Sequence, residues 1–150
     1  MQKTLGPSTP LSKLERELWQ AWQKAGDSVS SSVGRDLAEA TGLSSADYGV
    51  LSQLVDLGRG QLRQQDLARA LAWHKSRLSH HLSRMEQRAL VRRKPAQTNA
   101  VFVTITPTGR STLRLARQIH AGAVRKHLLA KVPRMELERW LRLLARLGQT

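Results

Sequence analysis

Nine apolar residues, Leu11, Leu14, Leu18, Trp22, Ala25, Val29, Val33, Leu37 and Ala40, recur every three or four positions. The mean step of about 3.6 residues is the α-helical period, so this stretch predicts one long helix with a single apolar stripe, bent if anywhere near Gly26 or Gly34. A 150-residue chain has the length of one compact domain. Such a domain is too small to cover both ends of a helix that long. The uncovered part of the stripe needs a second chain, and a homodimer is expected.

Downstream of Gly42 the elements shorten. Ser44 and Asp47 have the S-x-x-D spacing of a capping box, with Leu43 and Tyr48 at the staple positions, and predict a second helix ending by Gly58. The turn Gly58-Arg59-Gly60 leads to a third helix over Gln64–Leu71, whose start is poorly capped because Arg63 stands where Ser, Thr or Asp is preferred. A tight turn over Ala72–His74 precedes a fourth helix, Lys75–Gln87. Its narrow apolar stripe is Leu78, Leu82, Met85 and Ala89. Two short runs, Leu90–Lys94 and Val101–Ile105, flank a loop with Pro95 and Asn99 and read as a β-hairpin. Thr106-Pro107 is an N-cap followed by proline at the first helical position, opening a fifth helix to about Leu129. Pro133 opens a sixth helix, with Leu137, Trp140, Leu141, Leu144 and Leu147 on one stripe. Residues 1–10 read as a flexible tail without the apolar core of a signal peptide.

Charge is distributed unevenly along this plan. The chain carries a net +14 with a pI near 11.6, which points to a polyanionic partner. Residues 1–58 are slightly acidic, at −2. Residues 59–94 hold ten cations against Asp66 and Glu86, and residues 107–150 hold ten against Glu136 and Glu138. The middle cations must share a small surface.

A helix, a tight turn, a second helix and a basic hairpin make a winged helix-turn-helix. The major groove of a duplex admits one α-helix, and base edges are distinguishable there. The fourth helix suits that role: Lys75, Ser76, Arg77, Ser79, His80 and Arg84 lie off its apolar stripe and supply donors and acceptors for bases and phosphates. Arg92, Arg93 and Lys94 on the hairpin, with Gln97 and Asn99 at its tip, would face the DNA backbone and minor groove. The expected fold class is therefore mainly α with a small β-hairpin wing. Residues 43–106 form the DNA-binding domain, and residues 11–42 and 107–150 form a helical dimerisation region.

The stretch from Trp73 to Val91, followed by Val101-Phe-Val-Thr-Ile-Thr-Pro-Thr-Gly-Arg110, resembles the MarR family of bacterial transcription regulators. The likeness covers roughly residues 11–148. It implies a homodimer intertwined through the first, fifth and sixth helices, with recognition helices in successive major grooves of a pseudo-palindromic operator. It also implies repression relieved by a small, often phenolic or aromatic, effector. Trp22 lies on the apolar stripe and reads first as dimer core. Trp19 lies off it and, with Arg16 nearby, suits a pocket for an aromatic acid. The sequence departs from the family at the wing, where Ala96-Gln97-Thr98-Asn99 stands in place of the usual Asp and following Arg, so Asn99 replaces a minor-groove arginine. His74 stands at a cap position where Ser is commoner. His81 stands where the family places an apolar residue; the two readings are a packed, hydrogen-bonded side chain and a pH-sensitive one.

Other chemistries fit less well. There is no cysteine, hence no disulfide and no thiolate metal site. His80 and His81 are adjacent and point to different faces of a helix, while His120 and His127 have no carboxylate between them, so no metal or cofactor is expected. No phosphate-binding glycine motif occurs, and Ser and His co-occur only on the presumed DNA face, so an enzyme is not expected. No apolar run is long enough to span a membrane, and a cytoplasmic protein is expected. Arg139, Arg142 and Arg146 read as a solvated face of the sixth helix. The alternative function is an architectural, nucleoid-type protein that holds duplex DNA mainly by charge. The varied polar face of the fourth helix favours a sequence reader.

Overall fold

The computed structural model describes residues 9–148. The expected tail lies mostly outside the described residues. Helix α1 (Lys13–Thr41) runs unbroken past Gly26 and Gly34. Ser12 caps it reciprocally with Glu15, and Gly42 ends it at φ +70°, a left-handed conformation that glycine adopts without steric cost. Helix α2 (Ser45–Asp56) begins at the predicted capping box: the Asp47 amide donates to Ser44 Oγ at 3.0 Å and the Ser44 amide to Asp47 Oδ2 at 2.9 Å. Helices α3 (Gln64–Leu71) and α4 (Lys75–Gln87) have the expected bounds. Ala89 does not belong to the α4 stripe. It follows the helix at φ 56° and is exposed, and the buried face is Leu78, His81, Leu82 and Met85.

The hairpin is part of a three-stranded antiparallel sheet. Strand β1 (Gln61–Arg63), β2 (Val91–Pro95) and β3 (Val101–Ile105) are ordered β1-β3-β2, with Leu62 opposite Val103 and Arg93 opposite Val103 on the other side. The sequence assigns no element to β1, which lies between the Gly58-Arg59-Gly60 turn and α3. Three residues show no period, and the partner strand lies some forty residues away.

Helix α5 (Pro107–His127) follows β3 through Thr106 alone. Thr106 Oγ1 accepts from the Gly109 amide at 2.9 Å and donates to the Ala89 and Leu90 carbonyls. A Cβ on Gly109 would lie 2.2 Å from the Leu90 carbonyl oxygen. The first turn of α5 is thus pressed onto the chain that enters β2, which only glycine allows. Arg110 donates to the Arg59 carbonyl at 3.1 Å. The segment Thr106-Pro-Thr-Gly-Arg110 therefore joins the base of the wing to α5. Two 3-10 turns, Leu129–Lys131 and Arg134–Glu136, precede helix α6 (Leu137–Leu147). Pro133 thus opens a 3-10 turn, and the α-helix begins four residues later.

One core unites α2, α3, α4, the sheet and the near ends of α1 and α5. It is built on Leu37, Leu43, Leu51, Leu54, Leu67, Leu78, Leu82, Met85, Val91 and Val103, all fully or nearly fully buried. The C-terminal half of α1 packs on α5. There Asp36 receives His127 Nε2 at 2.8 Å and Lys126 Nζ at 3.3 Å. The N-terminal half of α1 is bare: Leu14 is 75% and Leu18 69% exposed. Helix α6 buries no residue, although Trp140, Leu141, Leu144 and Leu147 form its apolar face.

Candidate nucleic-acid interface

The amide groups that open α3 and α4 have no side-chain cap. Arg63 and His74 occupy the N-cap positions without capping bonds, whereas Ser12, Ser44 and Thr106 cap α1, α2 and α5. The first turn of α4 contains no acidic residue and places Lys75 and Arg77 at the positive end of the helix dipole. Cations there raise the energy of an isolated helix, and an anion lowers it. Both helix starts border one open groove of about 560 Å³, lined by Arg63, Gln64, Gln65, Lys75, Thr98 and Asn99. It runs between the wing tip and the helix-turn-helix and is positively charged.

The outer face of α4 lies beside this groove. Lys75, Ser76, Arg77, His80 and Arg84 are exposed. Ser79 is half-buried, 3.4 Å from the Arg93 guanidinium through both its hydroxyl and its carbonyl. Arg92 and Lys94 on β2 are exposed, as are Gln97 and Asn99 at the tip. Asn99 has φ 56°, and the Ala96 amide closes the tip on the Ala100 carbonyl at 2.7 Å. Asparagine tolerates the left-handed region better than arginine, so the residue that stands in for the family's wing arginine also shapes the turn.

Arg93 departs from the sequence expectation of a free phosphate ligand. Its guanidinium pairs with Glu86 Oε2 at 2.6 Å and donates to Ser83 Oγ at 2.8 Å, while its amide donates to Glu86 Oε1 at 2.8 Å. Burial pushes the Glu86 carboxyl up, but the hydrogen bonds and charge of Arg93 outweigh it and hold the group below the usual carboxylate range. Arg93 thus fastens the wing to α4, leaving Arg92 and Lys94 as the outward cations of β2.

His81 is buried against α2. Its Nε2 lies 2.9 Å from Asp47 Oδ1, its Nδ1 3.1 Å from an Arg84 nitrogen, and its ring meets Trp73 edge-on at 5.3 Å. The packed reading fits this geometry. Asp47 also receives Arg88 at 2.7 Å, and Arg88 donates on to the Gly42 carbonyl. Burial raises the Asp47 carboxyl, but Arg88 and the Ser44 amide outweigh burial and hold it below its ordinary value. His74 is exposed at its cap position. His120 stacks on Tyr48 at 4.5 Å, and among the described residues no three His, Cys, Asp or Glu side chains group as metal ligands.

Residues 28–100 match the family model described as MarR family. AbsC, a MarR family transcriptional regulator from Streptomyces coelicolor, is 28% identical, with 95% of this chain and 97% of that chain covered and a TM-score of 0.85. Over residues 28–100 the chain is of the MarR family. A second MarR-family regulator from that organism, Sco3205, solved in complex with DNA, is 26% identical over 95% of this chain and 92% of its own, with a TM-score of 0.82. The organohalide-sensing regulator RdhR-CbdbA1625 in its 2,4-dichlorophenol-bound form shares the fold at 22% identity and a TM-score of 0.79, over 97% of this chain and 88% of that one. Among curated proteins none matches the sequence. MarR-family regulators are non-enzymatic transcription factors.

The MarR-family winged domain was legible in outline, but not all of its surface. Gln64 and Gln65 escaped the sequence reading, and Arg63 entered it only as a poor cap. That missing cap was the available signal. At the far end of α1, Trp19 and Trp22 both line one apolar recess of about 590 Å³ with Leu11, Glu15, Leu18 and Leu147. Arg16 does not line it; its guanidinium turns back to the Leu11 carbonyl. No helix among the described residues is long and apolar enough to cross a membrane.

Proposed function

We propose that this chain is a sequence-specific DNA-binding transcription regulator that acts as a homodimer on a pseudo-palindromic operator. The observation that carries the reading is the convergence of two uncapped helix starts, the cationic outer face of α4 and the wing tip on one groove. Residues 43–106 are the DNA-binding unit. Lys75, Ser76, Arg77, His80 and Arg84 face base edges and phosphates, with Ser79 at the margin. Arg92, Lys94, Gln97 and Asn99 follow the backbone and minor groove. The DNA complex of Sco3205 supports this use of the fold.

Residues 11–42 and 107–150 form the dimerisation region. The exposed apolar faces of α1 and α6 need a partner of matching chemistry, and a second copy supplies it. Regulation is repression by promoter occlusion in the cytoplasm, relieved when a small aromatic effector enters the recess lined by Trp19 and Trp22. The dichlorophenol-bound form of RdhR-CbdbA1625 supports an effector of that class. No cofactor takes part.

Fluorescence anisotropy on the chain's own upstream DNA and on a scrambled duplex, at near-physiological salt, tests the proposal. A preference of about 10³-fold or more is expected of a specific regulator. Equal, steeply salt-dependent affinity for both duplexes, and for other promoter fragments, would favour the architectural alternative instead.

A further inference from the structure

Three of the four arginines on or against α4 are already engaged. Arg84 bonds His81, Arg88 bonds Asp47 and the Gly42 carbonyl, and Arg93 bonds Glu86. Arg77 differs. Its guanidinium carbon lies 4.0 Å from the centroid of the Trp73 ring, and no acceptor among the described residues holds its N–H groups. A guanidinium stacked by its face keeps its donors free in its own plane. Arg77 is therefore held over the indole ring by its charge while its N–H donors remain available.

The platform is fixed where the arginine is not. Trp73 is half-buried and packs against the core. Its amide donates to the Ala68 carbonyl at 2.9 Å, in the turn that Ala72 makes at φ 53°. Its ring stands nearly perpendicular to that of His81, with centroids 5.3 Å apart. Trp73 precedes the N-cap, and Arg77 is the third residue of α4, in the turn from which recognition helices touch base edges. An arginine free in solvent loses rotamer entropy when it is fixed. One already stacked has lost part of that freedom before DNA arrives.

We propose that Trp73 is a positioning residue for sequence readout: its indole face pre-orders Arg77 for an in-plane, bidentate contact with the acceptor edge of one guanine. The inference rests on the DNA-reading function proposed above. Guanine is the base whose two major-groove acceptors match the arginine fork. An exposed cation–π contact is worth about 0.5–1 kcal/mol, or about two- to fivefold in discrimination at that base pair.

The test is selection of bound duplexes from a random-sequence library by the full chain and by Arg77→Ala, Trp73→Leu, Trp73→Met and Trp73→Phe. Arg77→Ala should lose preference at one G·C pair per half-site. The Leu and Met variants should weaken that same pair about two- to fivefold, with other positions and affinity for scrambled DNA unchanged. Trp73→Phe should retain most of the preference. Leu and Met variants that select the wild-type motif with undiminished preference would overturn the positioning role while leaving the DNA-reading function intact. A wild type that enriches no motif would remove that function and this inference together. Proton NMR of the free wild-type protein needs no variant: Arg77 side-chain protons should be shifted upfield by the indole ring current, and unshifted protons would also overturn the proposal.

Discussion

His81 Nε2 stands 2.9 Å from Asp47 Oδ1 while Arg88 occupies the other carboxylate oxygen at 2.7 Å, so one buried aspartate joins α4 to the start of α2. Arg84 donates to His81 Nδ1, which assigns the neutral ring's proton to Nε2, facing the carboxylate. Nε2 is fully enclosed and lies off the line of a good hydrogen bond, so its attraction to Asp47 is chiefly electrostatic. Asp47→Ala removes the capping partner of Ser44 and strands both His81 and Arg88. The expected loss is about 2–3 kcal/mol, less than for a wholly buried pair because Arg88 is partly in water. A urea midpoint within error of wild type would refute this.

Acid should weaken the fold through the same carboxylates. Asp47 and Glu86 are held below their ordinary values, so the native state binds their protons less readily than the unfolded chain does. Their contribution is complete above about pH 4–5, where the unfolded carboxylates are also ionised, and is lost as pH falls through the lowered native values. Urea midpoints measured from pH 7 to pH 2 should fall on the acid side, with a shallower fall in Asp47→Asn. Parallel slopes for the two proteins would contradict the assignment.

Arg92 and Arg93 are neighbours with different expected phenotypes. Arg92→Ala should reduce the salt dependence of DNA binding by about one unit of slope and leave stability unchanged. Arg93→Ala should lower stability by about 1–2 kcal/mol, because it unfastens β2 from Glu86 and the two serines of α4. Anisotropy salt titrations and thermal melts on both variants separate the two roles; the reverse pattern would show the Glu86 pair to be dispensable.

Gly109→Ala places a methyl group against the Leu90 carbonyl, where backbone must move to admit it. Overpacking of this kind costs about 1–3 kcal/mol. Hydrogen exchange should show the loss at the first turn of α5 and at Leu90–Val91. Protection unchanged from wild type would mean that the junction yields more easily than its geometry indicates.

Leu144 is 40% exposed on the apolar face of α6. In the proposed dimer that face is covered, so Leu144→Asp should give monomers by sedimentation velocity where wild type gives dimers. A dimeric variant would place the interface elsewhere.

The sequence revealed whatever is specified locally. The Ser44–Asp47 box, the Thr106-Pro107 start and the tight turn before Lys75 each sit within four residues of their cause, and the helix bounds there agree with the structure. Strand β1 was invisible because Leu62 acquires its partner, Val103, only in the folded chain. Arg93 reads as one more cation in a basic run until Glu86 is brought beside it. The Trp73–Arg77 stack could not be read from spacing, because neither residue's type determines where its side chain points.

The single residue between β3 and α5 has a mechanical consequence. Thr106 leaves no slack between wing and helix, and its bonds to Ala89 and Leu90 also clamp the far end of α4 to the same joint. A helix of 21 residues is about 30 Å long. It behaves as a stiff arm with the DNA-facing module bolted to one end. A shift of about 2 Å at the His127 end, divided over that length, tilts the arm by about 4°. The wing and α4 must turn with it, so in the proposed dimer the spacing of the two modules would be set by the angle between their arms rather than by loops.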